Sequence, residues 1–111
     1  MILDRDGVLN EEAPDGGYIT TPAKWCWLAG ARLSLARLTE AGIRISIATN
    51  QSGVGRGLMS AQDLEGVHAR MLREAQAVGA SVAGLYVCPH APRDACACRK
   101  PKPELIRRAV V

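Results

Sequence analysis

Two spacings of apolar residues along the chain predict strands and helices in alternation. Isoleucines alternate with polar residues in the segment 43–48, so a β-branched strand is expected there. Residues 81–87 form another expected strand. Ile2 and Leu3 match the last part of a strand whose beginning is missing, which suggests that the N-terminus is truncated.

Helical spacing fills the intervals between these strands. A first helix is expected at residues 31–41, followed by Gly42 as a C-terminal cap. A second helix begins after a capping box that starts at Ser60, and Gly79 ends it. Its apolar residues recur at helical spacing: Leu64, Val67, Met71, Leu72, Ala75 and Val78. A third helix is expected to start near Pro103.

The alternation of strand and helix predicts an α/β fold built on a parallel sheet. Parallel strands joined by crossover helices end at the same edge of the sheet, and ligands bind beyond that edge. Asp4, Thr49 and Cys88 each follow an expected strand directly. Residues 7–30 carry no regular pattern, and loops of that length are usually functional. A binding site is therefore expected where these segments meet.

Composition narrows the possible functions. The 111 residues suit a single domain spanning 1–111. Aromatic residues make up 4% of the chain and the net charge is only +3 without clusters, so a nucleic acid partner is not expected. No apolar run approaches the roughly 20 residues of a membrane span, and no secretory signal opens the chain. A cytoplasmic protein without a membrane partner is expected.

Asp4 and Asp6 lie two residues apart beyond the first strand and are the first candidates for chemistry. One carboxylate of such a pair can attack phosphorus and form an aspartyl-phosphate, while the other protonates the leaving oxygen and later activates water. A Mg²⁺ ion would screen the repulsion between the carboxylates and a substrate phosphate. The alternative is a solvated turn that contains two aspartates.

Two further groups suit a phosphate. Thr49 offers a hydroxyl at the start of a Gly-rich loop that runs to Gly57, where backbone N–H groups can form an anion-binding nest. Arg99 and Lys100 are adjacent cations before the last expected helix. The first group is a weak signal when taken alone, and the second equally fits a solvated basic turn.

A short stretch of the chain contains four residues that match a tetrahedral zinc site: Cys88, His90, Cys96 and Cys98. Disulfides are rare in the cytoplasm, so this spacing favours a metal. With four protein ligands no position remains for water, so the zinc would be structural and would hold the adjacent Arg-Lys pair near the phosphate. The alternative is a set of reduced thiols without a metal.

The segment 4–10, which reads Asp-Arg-Asp-Gly-Val-Leu-Asn, resembles motif I of the haloacid dehalogenase superfamily, and Thr49 and Lys100 resemble its motifs II and III. The segment 50–57 and the cysteine loop ending in Cys-Arg-Lys-Pro are similar to the D-glycero-D-manno-heptose-1,7-bisphosphate 7-phosphatases. The histidinol-phosphate phosphatases share the zinc loop. The resemblance covers essentially the whole chain and implies an incomplete, Rossmann-like haloacid dehalogenase fold.

Carried over by position, the resemblance implies that Asp4 is the nucleophile and Asp6 the general acid and base. It implies that the Asp4 carboxylate and the Asp6 backbone carbonyl hold Mg²⁺. Thr49 and Lys100 would bind the transferring phosphoryl group, and Arg99 would orient the substrate. The implied substrate contacts form two groups: Asp15, Gly16, Gly17 and Tyr18, preceded by a few extra residues in this chain, and Asn50, Gln51 and Ser52.

The implied activity is removal of the 7-phosphate of a heptose bisphosphate, a small-molecule substrate, by a monomeric enzyme in nucleotide-heptose and lipopolysaccharide core biosynthesis. One departure concerns motif IV of the superfamily, an acidic pair that supplies another Mg²⁺ ligand. No Asp follows Lys100, and the only acidic residue there is Glu104. The chain is therefore expected to be a fragment, truncated at both ends, with weak turnover or none.

Three alternatives remain open: a histidinol-phosphate phosphatase, a non-catalytic zinc-binding module, and a partial reading frame without a stable fold. Other notable residues receive structural interpretations. His68 is expected at a helix surface or the edge of the core, and Trp25 and Trp27 are expected to pack within the long loop. Cys26 is expected to be a spare thiol.

Overall fold

The computed structural model describes residues 1–13 and 17–89. Its parallel sheet has three strands in the order β1-β2-β3: β1 (Ile2–Leu3), β2 (Ser46–Asn50) and β3 (Gly84–Cys88). The other elements are α1 (Ala31–Glu40), α2 (Ala61–Ala77) and a 3₁₀ helix at Pro22–Lys24. The expected α/β fold with a parallel sheet is confirmed.

The register of the strands brings their C-terminal ends to one edge. Leu3 of β1 lies opposite Ile47 of β2. At the end of β2, Asn50 lies opposite Cys88 of β3. The residues after β1 therefore leave the sheet on the same side as the residues after β2 and β3, which is where ligands bind in folds of this type.

Strands β2 and β3 begin later than the sequence predicts, because residues before them donate hydrogen bonds to the end of α1. Strand β2 was expected at 43–48, but the N–H of Ile43 donates to the carbonyl of Leu38 at 3.0 Å, so Ile43 belongs to the turn that ends α1. The strand instead continues through Asn50. Thr49 therefore lies inside β2, one residue before its end, rather than after the strand.

The start of β3 was also predicted too early. Residues 81–87 were expected, whereas the strand runs from Gly84 to Cys88. The N–H of Ser81 donates at 3.0 Å to the side-chain oxygen of Thr39, near the end of α1, and is not available to a sheet ladder. Cys88 is consequently the last residue of β3, not the first residue of the following loop.

The ends of the helices follow the predicted local chemistry. The Ser60 hydroxyl accepts the N–H of Asp63 at 2.9 Å, and the Asp63 carboxylate accepts the N–H of Ser60 at 3.0 Å, which completes the predicted capping box. Gly42 and Gly79 follow α1 and α2 in the left-handed region, with φ of 79° and 88°. Glycine adopts this conformation without steric strain, so both predicted helix stops are confirmed.

The hydrophobic core lies between the sheet and the helices. Its fully buried members are Leu35, Ile45, Ile47, Val67, Met71 and Ala75, joined by Leu9, Ile19, Trp25 and Ala80. Trp25 packs edge-to-face against Trp27, with ring centroids 5.2 Å apart, which confirms the expected packing role of this pair. Neither α1 nor α2 has the length and apolarity that a bilayer crossing requires.

Candidate active site

A tight turn after β1 organises the first motif. The N–H groups of Val8 and Leu9 both donate to the carbonyl of Arg5, at 3.2 and 2.8 Å. Gly7 lies in this turn with a φ of 78°, a conformation that residues with a Cβ rarely adopt. The turn directs the chain back so that Asn10 reaches the side chain of Asp6.

Asp6 is held on both carboxylate oxygens. Its Oδ1 accepts hydrogen bonds from Arg5 Nε at 3.0 Å, Arg5 Nη2 at 2.7 Å and Asn10 Nδ2 at 3.0 Å. Its Oδ2 accepts a 2.8 Å bond from Gln51 Nε2. The carboxylate is therefore fixed by groups from the turn after β1 and from the loop after β2.

Gln51 connects the first motif to the second. It is fully buried, and its Nε2 donates to Thr49 Oγ1 at 3.0 Å as well as to Asp6. Because Thr49 Oγ1 acts as the acceptor of this bond, its own hydroxyl hydrogen can still be directed toward an anion. Asn50 lies half-buried at the end of β2. Gln51 was expected to line a sugar phosphate, but its side chain contacts the Asp6 carboxylate instead.

Arg5 lies inside the protein, between Asp6 and α2. Its side chain is fully buried, and its Nη1 lies 3.0 Å from Nε2 of His68 on α2. The guanidinium carbon lies 5.7 Å from the centre of the Trp25 ring. Because arginine stays charged in proteins, burial requires a counter-charge and polar partners. Asp6 supplies the counter-charge, and His68 supplies a further hydrogen-bond partner.

Burial and nearby charges in this cluster shift the pKa values of Asp6 and His68. Burial alone raises the pKa of Asp6, but the charge of Arg5 and the hydrogen bonds to the carboxylate outweigh it, so the pKa lies below its ordinary value. Burial, and then the charge of Arg5, lower the pKa of His68 to about 4, although Asp6 acts in the opposite direction. His68 is therefore neutral at pH 7, and its Nε2 accepts the proton of Arg5 Nη1.

A small cavity opens beside Asp6. It has a volume of about 210 Å³ and is lined by Asp6, Glu12, Ala13, Gly17, Tyr18 and Ile19. The hydroxyl of Tyr18 lies 2.6 Å from the Ser52 hydroxyl and joins the loop after β1 to the loop after β2. A Cβ on Gly53 would lie 3.0 Å from the Tyr18 ring, so glycine there permits this close approach. The structure therefore places Gly17 and Tyr18 in the cavity beside Asp6 and joins Ser52 to Tyr18.

The oxygen atoms that follow β1 are of the chemical type that Mg²⁺ prefers. Asp4 is exposed there, and its Oδ1 accepts the backbone N–H of Arg5 at 2.7 Å. Carboxylate and carbonyl oxygens are the hard donors that Mg²⁺ prefers, and water usually completes its coordination. Within residues 1–13 and 17–89, no three His, Cys, Asp or Glu side chains gather into a metal site. The Asp4 carboxylate and the Asp6 carbonyl are thus the candidate donors in this part of the chain.

Several predicted site residues lie outside the residues that the structure describes: Asp15, Gly16, His90, Cys96, Cys98, Arg99 and Lys100. Cys88, the first predicted zinc ligand, is fully buried at the end of β3. Its backbone carbonyl accepts the N–H of Gln51 at 2.8 Å. This contact places Cys88 directly beside the loop that holds Asp6.

The sequence did not indicate the pairing of Arg5 with His68. His68 was expected at a helix surface or core edge, and its 5% exposed fraction confirms the core edge. A signal was available, because successive side chains of an extended segment face opposite sides. Arg5 is therefore buried between the more exposed Asp4 and Asp6. Its guanidinium lies between Asp6 and His68, the polar residue on the apolar face of α2.

Similar proteins are known, although no protein-family model matches the chain. A relative from Bordetella bronchiseptica named D-glycero-beta-D-manno-heptose-1,7-bisphosphate 7-phosphatase is 42% identical over 107 residues, covering 96% of this chain and 59% of the relative. A crystal structure of D,D-heptose 1,7-bisphosphate phosphatase from B. bronchiseptica, complexed with magnesium and phosphate, matches with a TM-score of 0.91 at 41% identity. That match covers 100% of this chain and 63% of the other.

A second solved structure, of a HAD-like phosphatase from Mesorhizobium loti, matches with a TM-score of 0.83 at 28% identity, covering 97% of this chain and 54% of the other. The fold is thus that of the haloacid dehalogenase superfamily, shared with these two solved phosphatases. Within that superfamily, the chain is similar in sequence to the D-glycero-D-manno-heptose-1,7-bisphosphate 7-phosphatases. It spans about six tenths of the length of curated relatives that it matches.

Proposed function

We propose that this chain carries the phosphate-handling part of a Mg²⁺-dependent phosphomonoesterase that removes the 7-phosphate of D-glycero-D-manno-heptose 1,7-bisphosphate. The observation that carries the proposal is the arrangement at the end of β1, where Asp4 is exposed and both oxygens of Asp6 are held. Nucleophile and proton carrier would then be supplied by one short turn. The names of the relatives support the heptose substrate.

The reaction proceeds in two displacements. In the first, a carboxylate oxygen of Asp4 forms a bond to the phosphorus of the 7-phosphate, and the bond from phosphorus to the sugar oxygen breaks. Asp6 gives a proton to the departing sugar oxygen. In the second, water attacks the aspartyl-phosphate, Asp6 takes a proton from that water, and the bond from phosphorus to Asp4 breaks to release inorganic phosphate.

Asp6 must be protonated to act in the first displacement, whereas its pKa in the free protein lies below the ordinary value. A bound phosphate dianion would raise that pKa, because a like charge nearby disfavours the ionised carboxylate. The 210 Å³ cavity beside Asp6 offers a place for part of the sugar phosphate. Thr49 would donate its hydroxyl hydrogen to a phosphate oxygen, with Lys100 and Arg99 adding positive charge from the segment after β3.

Two metals belong to the proposal. Mg²⁺, held by the Asp4 carboxylate and the Asp6 carbonyl, would supply charge neutralisation for the phosphate when bound. A structural zinc would be held by Cys88 together with His90, Cys96 and Cys98. Elemental analysis should find one zinc per chain, and a Cys88→Ser variant should lose it. Zinc retained at full stoichiometry in that variant would contradict this ligand set.

The proposal extends to the biological setting of the activity. The enzyme acts as a monomer in the cytoplasm on a small-molecule substrate, without nucleic acid or membrane partners, and contributes to nucleotide-heptose and lipopolysaccharide core biosynthesis. The composition, the low net charge and the names of the relatives support this setting. Size-exclusion chromatography with light scattering tests the monomer, because a mass near twice that of the chain would contradict it.

The activity is tested by phosphate release in the presence of Mg²⁺. Two proteins are compared: the 111-residue chain, and an extended chain in which residues 1–111 are followed by the part of the B. bronchiseptica relative beyond the matched region. Both anomers of heptose 1,7-bisphosphate are offered, with histidinol phosphate as the competing substrate. Preferential release from the heptose, lost in Asp4→Asn, is expected. Preference for histidinol phosphate would overturn the assignment.

A further inference from the structure

The hydrogen bonds of Arg5 extend from Asp6 to the middle of α2. Its Nε and Nη2 both donate to Asp6 Oδ1, while its Nη1 donates to His68 Nε2 at 3.0 Å. We propose that His68 and Arg5 are positioning residues, which hold the Asp6 carboxylate in the orientation that protonates the leaving oxygen. The proposal rests on the proposed phosphatase function and assigns roles to two residues that do not contact substrate.

The guanidinium has little freedom to move. It is fully buried, and the Trp25 ring lies 5.7 Å from its central carbon. A planar guanidinium presents its N–H groups in a fixed fork, so fixing one end of the fork fixes the direction of the other. His68 fixes Nη1, and the remaining two donors are then directed at Asp6.

His68 suits this task because α2 holds it firmly. It is 5% exposed and lies beside Val67 on the apolar face of the helix, where it also follows Leu64 by one turn. The imidazole is neutral, so it accepts a hydrogen bond without competing with Asp6 for the charge of Arg5. A carboxylate at this position would attract the guanidinium away from Asp6, and an apolar side chain would leave Nη1 without an acceptor.

A positioning role has a consequence that a merely structural role lacks. Protonation of the leaving oxygen is needed for a sugar alkoxide, whereas p-nitrophenolate is stable enough to leave without a proton. Displacing Asp6 should therefore lower kcat/KM, which reports only the steps through formation of the aspartyl-phosphate, far more for a sugar phosphate than for p-nitrophenyl phosphate. Loss of folded protein would slow both substrates by the same factor.

The experiment compares His68→Leu, His68→Gln and wild type in both the 111-residue and the extended chain. Leucine removes the acceptor at similar volume, and glutamine restores a polar acceptor for Arg5. Gln76→Leu, an exposed position on the same helix, serves as the matched control. Arg5→Lys is the second probe, since it keeps the charge and loses the fork. Circular dichroism and thermal unfolding establish the folded fraction of each protein.

In His68→Leu, kcat/KM for heptose bisphosphate should fall by about 10-fold or more, within the range that general acid catalysis contributes. Its kcat/KM for p-nitrophenyl phosphate should stay within about 3-fold, since kcat/KM reports only the steps through formation of the aspartyl-phosphate and p-nitrophenolate leaves without a proton from Asp6. His68→Gln should recover most of the lost rate, and Arg5→Lys should share the selective loss. Equal loss on both substrates, or no loss on either, would overturn the positioning role.

Failure of the proposed function has a different signature. If wild type hydrolyses p-nitrophenyl phosphate but not heptose bisphosphate, the heptose assignment is wrong. In that case glycerol phosphate replaces heptose bisphosphate as the alkyl substrate. The loss of kcat/KM on glycerol phosphate relative to the loss on p-nitrophenyl phosphate then tests the positioning role independently. If wild type hydrolyses no phosphomonoester in either chain, both proposals are overturned together.

Discussion

Gln51 donates a 2.8 Å hydrogen bond from its side-chain amide to the Oδ2 atom of Asp6, across the gap between the loops that follow β2 and β1. The bond lies in the interior, because Gln51 has no exposed surface. It joins the first two motifs of the site into one rigid unit, since the same amide also donates to Thr49. Gln51, which was expected to line the sugar phosphate, therefore contacts the Asp6 carboxylate from the protein interior.

Replacing Gln51 should therefore affect turnover more than substrate binding. Gln51→Leu removes the donor to Asp6, and a lost hydrogen bond to a charged group corresponds to a rate decrease of about 10-fold or more. KM should change by less than about 3-fold, because the side chain does not reach the cavity surface. Steady-state kinetics of phosphate release checks this. A large rise in KM with unchanged kcat would instead indicate a direct substrate contact.

The buried histidine predicts a particular loss of stability in acid. The pKa of His68 is about 4 in the folded protein, below its value of 6.5 in an unfolded chain. Between these values the unfolded chain binds a proton that the folded protein does not, so the free energy of unfolding decreases as the pH falls from 6.5 toward 4. The ceiling on this loss is about 3 kcal/mol, because each pH unit between the two pKa values corresponds to about 1.4 kcal/mol.

Chemical denaturation of wild type and His68→Gln at several pH values measures this loss. Glutamine does not titrate, so the variant should lose less stability than wild type over the same interval. Asp6 does not confound the comparison. Its pKa in the folded protein lies below the ordinary value of 3.8, so the stability that its ionised form contributes is lost at lower pH than the interval compared. Parallel pH profiles for the two proteins would contradict a buried neutral His68.

The contact between Tyr18 and Ser52 should couple the two loops that border the cavity. Their hydroxyl oxygens lie 2.6 Å apart, and both side chains are at least half-buried. In a double-mutant cycle with Tyr18→Phe and Ser52→Ala, the coupling in the free energy of unfolding should be about 1 kcal/mol. Both single variants should also raise KM for a sugar phosphate, since the loop that lines the cavity is released. Strictly additive effects would show that the hydroxyls do not interact.

Local sequence signals identified most of the fold, because they act within a few residues. The capping box at Ser60 and the glycine after each helix are set by neighbouring backbone groups, and they were predicted at the correct positions. The alternating isoleucines identified β2 but not its start. The strand starts late because the N–H of Ile43 donates to the carbonyl of Leu38. That hydrogen bond depends on how α1 ends, and the alternation of isoleucines carries no information about the end of α1.

The motifs likewise identified Asp6 and Thr49, yet not the groups that hold them. Arg5 and His68 are separated by 63 positions, and the bond between them exists only once α2 packs against the segment after β1. A sequence motif specifies residue types at fixed spacing. The pairing of Arg5 with His68 depends instead on burial and on the direction of the Arg5 side chain. The interior of the site therefore required the three-dimensional structure.

In the proposed reaction, Asp4 takes the phosphoryl group from a heptose bisphosphate. The most direct measurement is to quench the reaction of the extended chain with heptose 1,7-bisphosphate and Mg²⁺, reduce it with borohydride, and map the peptides by mass spectrometry. Borohydride converts a phosphorylated aspartate to homoserine. We expect homoserine at position 4 alone, and none in Asp4→Asn. Phosphate release with Asp4 unmodified, or undiminished in Asp4→Asn, would show that Asp4 is not the nucleophile.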